Sequence, residues 1–478
     1  MILTALISLS AALLPAVPPP IHLSAETAAL SGSTFHPFQK TAAQTPGAGY
    51  AGDFIPNGAK ITWTVPNAPA GLYAVRVRYS APFGSKGYDL VVNGVKFSGT
   101  LPATTADTFV SLRAGRIELA AGTNTVSIER GWGYYRIAAV DLSPAPPAPA
   151  LQKPTQGLSD KQATLTARAL FAALKRNYGV RTLSGQQNTE DIAYIENATG
   201  QSPAVEGGDF IEYSPSRVAH GSKPGGTIEK VIRDAQAGKV VTMLWHWNAP
   251  ADLIDGSYTG KDGKPVAAPW WRGFYTEAST FDYAAALNDP RSPKYALLLR
   301  DIDAIAVQMK KFDAAGVPVL WRPLHEAEGG WFWWGSKGPE SYKKLWRLLH
   351  DRLVNTHHLH NLVWVYSSGT DPKWYPGDDV VDIVGIDQYP SDTGDPLYNV
   401  YETLLSEYSR RKMLALTEFG GVPDLAKMRR YGVRWSYYMS WIGDLGPRKL
   451  DKATLTRLYT APEIVNTAQA PAFLGAKR

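Results

Sequence analysis

The stretch VPVLWRPLHE, residues 317–326, begins as an apolar run of strand length and ends in charged and polar side chains. The same pattern occurs in VVTMLWHWN (240–248), VDIVGIDQYP (381–390) and MLALTEFGG (413–421). Short apolar runs with polar ends are typical of strands buried on both faces of a parallel sheet. Eight such strand candidates lie near residues 181–187, 203–211, 239–246, 317–325, 362–368, 381–389, 412–419 and 433–441.

Helical patterns alternate with these strand candidates. An apolar stripe that steps by four and three residues lies between the third and fourth candidates and consists of Leu298, Ile302, Ile305, Met309 and Phe312. The residues SDKQ (159–162) fit a capping box at the start of the first helix. Eight strand–helix units predict a (β/α)8 TIM barrel over residues 155–478. A doubly wound sheet is the alternative, but no Gly-rich phosphate loop follows the first strand candidate.

Residues 22–143 have a different pattern. The runs KITWTV (60–65), YAVRVRY (73–79) and TVSIE (125–129) alternate apolar and polar side chains and are separated by Gly, Asn and Pro. This pattern predicts short strands with one buried face, and therefore an all-β jelly-roll or β-sandwich domain. Residues 144–154 are rich in proline, which predicts a stiff linker between the two domains.

The N-terminal segment is read as a targeting signal. The apolar run at residues 2–14 is too short to span a bilayer and resembles the core of a secretory signal. We therefore predict a signal peptide over residues 1–21 and a secreted protein. No other stretch is apolar enough for a membrane helix, so we expect no membrane association, and we expect a monomer.

Composition narrows the classes of function. The 478 residues include 44% apolar and 19% charged residues, a net charge of +6 and no cysteine. Because the basic residues are scattered, we expect no nucleic-acid partner. The absence of cysteine excludes thiolate metal sites and cysteine nucleophiles. The 15 Trp and 24 Tyr favour a polysaccharide partner, because indole rings stack on the C–H faces of sugars.

Two glutamates stand where barrel strands are predicted to end. Glu326 follows the fourth strand candidate and Glu418 ends the seventh. Active residues of TIM barrels lie at the C-terminal ends of the strands, so the two carboxylates are expected to face each other across the barrel mouth. Glycoside hydrolysis requires such a pair, one protonated to assist the leaving oxygen and one ionised to attack the anomeric carbon. A structural ion pair is the alternative for either glutamate alone.

Aromatic residues surround this predicted site. The run WFWW (331–334) follows Glu326 closely, and Trp270 and Trp271 lie in the long loop after the third strand candidate. Exposed aromatic side chains in a loop favour substrate binding. Packing of these rings into their own loops or into an aromatic cluster is the alternative.

The stretch RPLHEAEGGWFWWG (322–335) resembles the acid/base motif of glycoside hydrolase family 26, and LTEFG (416–420) resembles its nucleophile motif. Family 26 belongs to a larger clan of glycoside hydrolases, most of which have Asn before the acid/base glutamate. Family 26 has His at this position, as in this chain at His325. The resemblance covers about residues 155–470. It implies a (β/α)8 barrel, retaining double displacement without a cofactor, and endo-β-1,4-mannanase activity on mannan, glucomannan or galactomannan.

Two alternatives stay open beside this function. Some members of family 26 cut xylan or mixed-linkage β-glucan, and stacking on tryptophan does not distinguish these polymers from mannan. A non-catalytic glycan-binding protein is the second alternative, against which the retained carboxylate pair argues.

The resemblance also implies roles for single residues. Glu326 matches the general acid/base and Glu418 the nucleophile, and Tyr389 matches the tyrosine that hydrogen-bonds the nucleophile. The full set that matches substrate-binding or supporting positions is His246, Trp270, Trp271, His325, Trp331, Asp387, Tyr389 and Trp441. Many relatives carry Asn where this chain has Glu328, which puts the preference of the adjoining sugar subsite in doubt.

The N-terminal domain resembles carbohydrate-binding module family 35. The matching residues are SAE (24–26), NTVSI (124–128), GWG (131–133) and DL (141–142). Relatives often hold a structural calcium ion, and Glu26 and Asp141 are the matching carboxylates, since Ca²⁺ prefers oxygen ligands. Trp132 either stacks on sugar or packs inside the sandwich.

Overall fold

The computed structural model describes residues 18–38, 49–106, 108–146, 151–260 and 262–475. Residues 1–17 of the predicted signal peptide and residues 147–150 of the predicted linker lie outside the described residues. The chain divides into two compact units, Met1–Ala148 and Pro149–Arg478.

The first unit is an all-β domain with eleven strands among its described residues. They are β1 Ile21–Ser24, β2 Ala29–Ser31, β3 Thr34–Pro37, β4 Gly49–Gly52, β5 Lys60–Ala68, β6 Gly71–Ser80, β7 Lys86–Val92, β8 Val95–Leu101, β9 Val110–Leu119, β10 Gly122–Trp132 and β11 Arg136–Pro144. One antiparallel sheet has the order β3-β4-β11-β6-β9, with β1 also paired to β11, and the other has the order β2-β5-β10-β7-β8. The predicted all-β fold is confirmed.

Alternation along these strands explains how the two sheets share one core. On β5, Ile61, Trp63 and Val65 are buried, whereas the residues between them are partly or fully exposed. Since successive side chains of a strand point to opposite faces, each strand contributes one apolar face to the core between the sheets.

The second unit is built around a closed barrel of eight parallel strands. Its strands are β12 Thr182–Leu183, β13 Gly185–Gln186, β14 Val205–Asp209, β15 Val240–Leu244, β16 Gly256–Thr259, β17 Pro265–Ala268, β18 Val319–Arg322, β19 Leu362–Tyr366, β20 Ile383–Gln388, β21 Met413–Phe419, β22 Tyr438–Ser440 and β23 Ile464–Val465. The barrel order is β13-β14-β15-β18-β19-β20-β21-β22. The predicted TIM barrel is confirmed, and closure of the sheet excludes the doubly wound alternative.

α-Helices follow the barrel strands except β19, after which the described residues form a short 3₁₀ turn at Pro372–Trp374. They are α1 Leu165–Asn177, α2 Thr189–Thr199, α3 Pro215–Ala219, α4 Thr227–Gln236, α5 Tyr283–Asn288, α6 Pro293–Ala314, α7 Gly338–Asp351, α8 Tyr398–Tyr408, α9 Leu425–Tyr431, α10 Lys452–Tyr459 and α11 Ala470–Leu474. The apolar stripe predicted from the sequence forms the buried face of α6. No helix among the described residues is both long and apolar enough to cross a membrane.

The predicted start of the first helix was wrong. Helix α1 begins at Leu165, and the side chain of Thr164 accepts a hydrogen bond from the backbone N–H of Ala167 at 3.2 Å. Asp160 instead accepts from the backbone of Gln162 at 2.8 Å and from the ring of His360 at 2.8 Å. Ser and Asp stabilise turns as well as helix starts, so the local pattern did not distinguish the two.

The pairing of β20 with β21 has a register shift near the C-terminal end of the barrel. The register between β20 and β21 shifts between Ile386 and Asp387, and this shift places Asp387 opposite Glu418. Bulges next to active sites commonly redirect side chains in this way. Two polar side chains on neighbouring strands therefore meet at the C-terminal end of the barrel.

Candidate active site

Glu326 lies in a tight turn that follows strand β18. Leu324 and Glu326 have φ angles of 49° and 54°, in the left-handed region that residues with a Cβ seldom occupy. The backbone N–H of Glu326 donates to the carbonyl of Ser367 at 2.9 Å, and the indole of Trp331 donates to the Glu326 carboxyl at 2.9 Å. Strained backbone of this kind persists only where surrounding contacts hold it, and it clusters at functional sites.

Glu418 is buried near the end of strand β21, and each of its carboxylate oxygens accepts a hydrogen bond. The Arg322 guanidinium donates to one oxygen at 2.7 Å, and the Tyr389 hydroxyl donates to the other. Charge-assisted hydrogen bonds of this type stabilise the ionised carboxylate and fix its orientation. Two donors therefore fix the orientation of the Glu418 carboxylate at the barrel mouth.

A buried network extends from Arg322 to Asp387. Arg322 donates to Asp387 at 2.6 Å, and Asp387 also accepts from Thr417 at 2.7 Å and from Ser367 at 3.2 Å. Burial lowers the pKa of Arg322, but the charges of Asp387 and Glu418 outweigh this effect and raise it. The guanidinium remains charged and donates to the carboxyl groups of both Asp387 and Glu418.

The surroundings of Glu326 shift the pKa of its carboxyl upward. Burial first, and the charge of Glu418 second, raise the pKa of the Glu326 carboxyl, although Arg322 and Trp331 act in the opposite direction. Burial and the charge of Glu418 also raise the pKa of Tyr389, so that its hydroxyl stays a donor. The site thus pairs one carboxyl that retains its proton to higher pH with one carboxylate that is held by donors.

Two histidines meet beside this carboxylate pair. The Nε2 atoms of His246 and His325 lie 3.3 Å apart, and Nδ1 of His246 lies 2.6 Å from the carboxylate of Asp209. Burial, Arg322 and His246 lower the pKa of His325 well below its ordinary value, so its imidazole is neutral. The sequence placed both histidines near the site, and the structure brings them into direct contact.

Aromatic rings form the walls of the site. The His246 ring packs against Phe274, Phe332 and Trp441, with centroid distances of 5.1, 5.6 and 6.5 Å. Trp331 and Tyr389 are 48% and 43% exposed, so their faces remain available to a ligand. Both border a cavity of about 400 Å³ that also contacts Glu326, Glu328 and Asp387.

Not all the predicted aromatic contacts lie open to solvent. Trp270 is placed between His220, which stacks on it at 5.3 Å, and Arg217, whose guanidinium lies 5.4 Å from the ring centroid. Trp271, by contrast, is 51% exposed. The prediction that both rings bind substrate stays a prediction. The Trp270 ring packs against Arg217 of α3 and against His220, which follows that helix.

Trp333 and Trp334 belong to the core, and the expectation of exposed rings along the run 331–334 was wrong for them. Their indole N–H groups donate to the carbonyls of Trp247 at 2.6 Å and His325 at 2.8 Å. Buried indoles need such partners. Trp334 thus supports the turn that carries Glu326, Trp333 supports the chain after β15, and Trp331 is the exposed ring of the run.

Glu328 lies at one edge of the cavity. Its carboxylate accepts from the backbone of Asp371 at 3.0 Å, and its backbone N–H donates to Ser368 at 3.1 Å. A Cβ at Gly369 would lie 1.8 Å from this carboxylate, so the close approach requires glycine there. This exposed acid is therefore fixed against the loop after β19.

Sequence reasoning missed three residues of the site. Arg322 lies inside the stretch that was read as an acid/base motif, but a buried arginine between two carboxylates can be inferred only once the barrel closes. Asp209 ends β14, and Thr417 lies on β21 directly before the predicted Glu418. A polar residue at a strand end was the signal that could have found Asp209.

A structural calcium ion is predicted at Glu26 and Asp141. The ring Nδ1 of His22 lies 2.6 Å from the carboxylate of Asp141, and the described residues include no group of three or more His, Cys, Asp or Glu side chains that could hold a metal ion. Calcium sites need six to eight oxygen ligands, some of which backbone carbonyls can supply. The calcium ion therefore stays a prediction from the family resemblance.

Comparison with known proteins places this geometry in a family. The model of Glycosyl hydrolase family 26 matches residues 159–469, which contain the barrel and both glutamates. The chain belongs to glycosyl hydrolase family 26. It is therefore a glycoside hydrolase, and the alternative of a non-catalytic glycan-binding protein is not retained. The model of Carbohydrate binding module (family 35) matches residues 22–145.

Relatives of this family 26 chain extend over both units. A mannan endo-1,4-beta-mannosidase of Thermothelomyces thermophilus is 42% identical over 93% of this chain and 87% of its own length. Mannan endo-1,4-beta-mannosidase B of a Piromyces species is 32% identical over 95% and 78%. The crystal structure of a β-(1,4)-mannanase of Podospora anserina, with the same two modules, matches with a TM-score of 0.67 and 39% identity, covering 95% of this chain and 99% of that one.

Proposed function

We propose that this family 26 hydrolase is a secreted endo-β-1,4-mannanase that cleaves mannan, glucomannan or galactomannan with retention of configuration. The observation that carries the proposal is the contrast between Glu326, whose pKa is raised, and Glu418, held by Arg322 and Tyr389. Paired carboxylates in such different surroundings are what a retaining glycosidase requires. The names of the relatives in Thermothelomyces and Piromyces support mannan as the polymer.

In the first step, a carboxylate oxygen of Glu418 attacks the anomeric carbon. The bond from that carbon to the leaving oxygen breaks, and Glu326 gives its proton to this oxygen. The fragment that carries the leaving oxygen departs, while the other fragment stays bound to Glu418 as a glycosyl ester. Arg322 and Tyr389 orient the attacking oxygens throughout.

In the second step, Glu326 acts as the base. Once Glu418 has become an ester, its negative charge is gone, and one cause of the raised pKa of Glu326 is removed with it. Glu326 then accepts a proton from water, and the oxygen of that water attacks the anomeric carbon and displaces Glu418. The product keeps its original configuration.

Substrate contacts are proposed for the residues around this pair. Trp331 and Trp441 offer indole faces on which sugar rings stack, and Tyr389 and Asp387 hold the nucleophile side of the pocket. His246 and His325 shape the pocket for the sugar at the cleavage point. Trp271 provides an exposed ring further along the cleft.

Product analysis of the full-length enzyme on mannan, xylan and barley β-glucan is the direct test of this function. We expect manno-oligosaccharides of several lengths from mannan, and at least about a hundredfold lower rates on the other two polymers, a selectivity that hydrogen bonding to a substrate hydroxyl can supply. The configuration of the first product, followed by NMR, is expected to match that of the substrate bond. Xylo-oligosaccharides or gluco-oligosaccharides as the main products would overturn the choice of polymer and leave the roles of Glu326 and Glu418 intact.

The N-terminal unit is proposed to bind the same polymer. Trp132 is 56% exposed, and its ring lies close to Gly87 on strand β7, where an added Cβ would approach it to 2.2 Å. The Lys86 ammonium lies 5.6 Å from the ring centroid, and Phe83 and Tyr134 are also exposed. Exposed aromatic rings held by neighbouring backbone are costly unless they bind a ligand. No calcium ion is required for this proposal.

Replacement of Trp132 by alanine is expected to weaken binding of the full chain to insoluble mannan by about tenfold, the effect of one lost aromatic contact. The measurement is a binding isotherm in a background inactivated at Glu326. Ile55→Ala, which removes an equally exposed but aliphatic side chain of the same unit, is the matched control. Equal binding by the Trp132 variant and this control would contradict the role of the tryptophan.

A further inference from the structure

A chain of contacts crosses three neighbouring barrel strands toward Glu326. Asp209 ends strand β14, His246 follows β15, and His325 follows β18. The carboxylate of Asp209 lies 2.6 Å from Nδ1 of His246, and the two histidines approach at 3.3 Å through their Nε2 atoms. His325 is covalently next to Glu326, so the chain of contacts ends at the acid/base turn.

Both ring nitrogens of His246 are used within the protein. Asp209 accepts at Nδ1 and therefore keeps the proton on that nitrogen, because the hydrogen bond made at one imidazole nitrogen decides the state of the other. Nε2 is then turned to His325 and not to a sugar hydroxyl. His246 can therefore contact a sugar only through the carbon edge of its ring. Its hydrogen bond to His325 does not bind sugar directly.

The hydrogen bond between His246 and His325 anchors the strained turn that carries Glu326. Leu324 and Glu326, on either side of His325, both have positive φ angles. The His325 ring is buried and neutral, and its orientation is set by His246 and by packing against Phe332 at a centroid distance of 5.1 Å. Strained turns hold their shape only where side chains anchor them. Release of the His325 ring would let the Glu326 backbone relax.

We propose that Asp209 is a positioning residue for the acid/base Glu326 and that it acts through His246 and His325. The proposal rests on the proposed retaining function. Asp209 itself is tied down at its other oxygen, which accepts from the backbone N–H groups of His246 at 3.1 Å and Ile211 at 2.9 Å. The C-terminal end of β14 is thereby linked to the Glu326 carboxyl, which has to reach the leaving oxygen.

Asp209→Asn isolates the ring contact. The asparagine oxygen can still accept from the two backbone N–H groups, whereas its NH₂ group cannot accept the Nδ1 proton of His246. The local loop is kept, and only the orienting bond is lost. Asp209→Ala removes both kinds of contact and serves as the second variant.

The test compares two leaving groups. Mannotetraose needs a proton from Glu326, whereas dinitrophenyl β-mannobioside releases a stable phenolate without one. For Asp209→Asn we expect kcat/KM on mannotetraose to fall by about thirtyfold to a hundredfold, the cost of misplacing a catalytic group by about 1 Å. On the dinitrophenyl substrate we expect a change of less than about threefold, since glycosylation there needs little acid assistance.

Azide gives a second readout. In a variant that lacks a working base, azide attacks the anomeric carbon of the glycosyl ester, breaks its bond to Glu418 and raises kcat on the dinitrophenyl substrate. Glu326→Ala is the positive control for this acceleration, and Asp209→Asn is expected to show it in part. Nitrogen-15 NMR of the histidine rings is expected to report loss of the fixed Nδ1 proton on His246 in the variant.

Equal losses on both substrates, without acceleration by azide, would overturn the proposal and assign Asp209 to sugar binding or to stability alone. Asp191→Asn supplies the comparison. This buried carboxylate holds the loop after β22 through Gly443 at 2.7 Å and Arg448 at 2.6 Å, and its loss is expected to act equally on both substrates. If Glu326→Ala itself showed neither the leaving-group dependence nor the azide effect, the proposed function would fail instead.

Discussion

Replacing Glu418 by alanine is expected to lower kcat/KM on mannan by about four orders of magnitude or more, the scale seen when a covalent nucleophile is removed. In the proposed mechanism, the buried carboxylate is the group that Arg322 and Tyr389 orient for attack. Glu418→Gln, which preserves the shape of the side chain but not its charge, is expected to be equally inactive. Circular dichroism is expected to show an unchanged fold for both variants.

Azide distinguishes the nucleophile from a supporting acid. In Glu418→Ala the small anion can occupy the vacated space, attack the anomeric carbon of dinitrophenyl β-mannobioside and expel the phenolate, which yields the α-azide. In Glu326→Ala azide attacks the intact glycosyl ester and yields the β-azide. Identification of the two azides by NMR assigns the roles. The same anomer from both variants, or activity above about 1% of the wild-type rate in Glu418→Gln, would contradict the assignment.

Glu326→Gln is expected to reduce kcat/KM on mannan by about three orders of magnitude, within the range that general acid catalysis contributes. The loss is expected to be far smaller on the dinitrophenyl substrate, because its leaving group needs no proton. The measurement is the ratio of the two kcat/KM values in the wild type and in the variant. A comparable loss on both substrates would assign Glu326 to binding and not to proton transfer.

The pH dependence of activity is expected to report the protonation of Glu326. Burial and the charge of Glu418 raise the pKa of Glu326, so the protonated, active form persists to higher pH than in a free glutamate. Activity of the wild type is expected to fall as pH rises through this pKa, and Glu326→Gln is expected to lose that alkaline limb, because glutamine does not titrate. Glu328→Gln, two residues away, is the matched control and is expected to keep the limb.

Local patterns were sufficient for much of the fold. Apolar runs with polar ends predicted the eight barrel strands, and the stripe from Leu298 to Phe312 predicted the face of α6. These signals are local because burial on both faces of a strand, or on one face of a helix, imposes its own period on the sequence. The same reasoning placed Glu326 and Glu418 at strand ends.

Local patterns failed where a side chain had two possible partners. Trp331, Trp333 and Trp334 are the same residue type in one short run, so the sequence does not distinguish them. Trp333 and Trp334 are nevertheless buried, whereas Trp331 is exposed. Trp270 is placed between Arg217 and His220, which lie some 50 residues earlier in the chain. The direction in which an aromatic ring points depends on the loops packed against it, and those contacts are not encoded nearby.

Periodicity and short motifs predicted the barrel, the all-β N-terminal unit and the two glutamates, because each of these signals lies within a few residues of sequence. The surroundings of the two glutamates depend on contacts between distant parts of the chain. Arg322 meets Glu418 and Asp387 across 96 and 65 residues of chain, and Asp209 reaches His246 across 37. Closure of the barrel brings such distant strand ends together, and the raised pKa of Glu326 and the two donors to Glu418 follow from that burial and those partners.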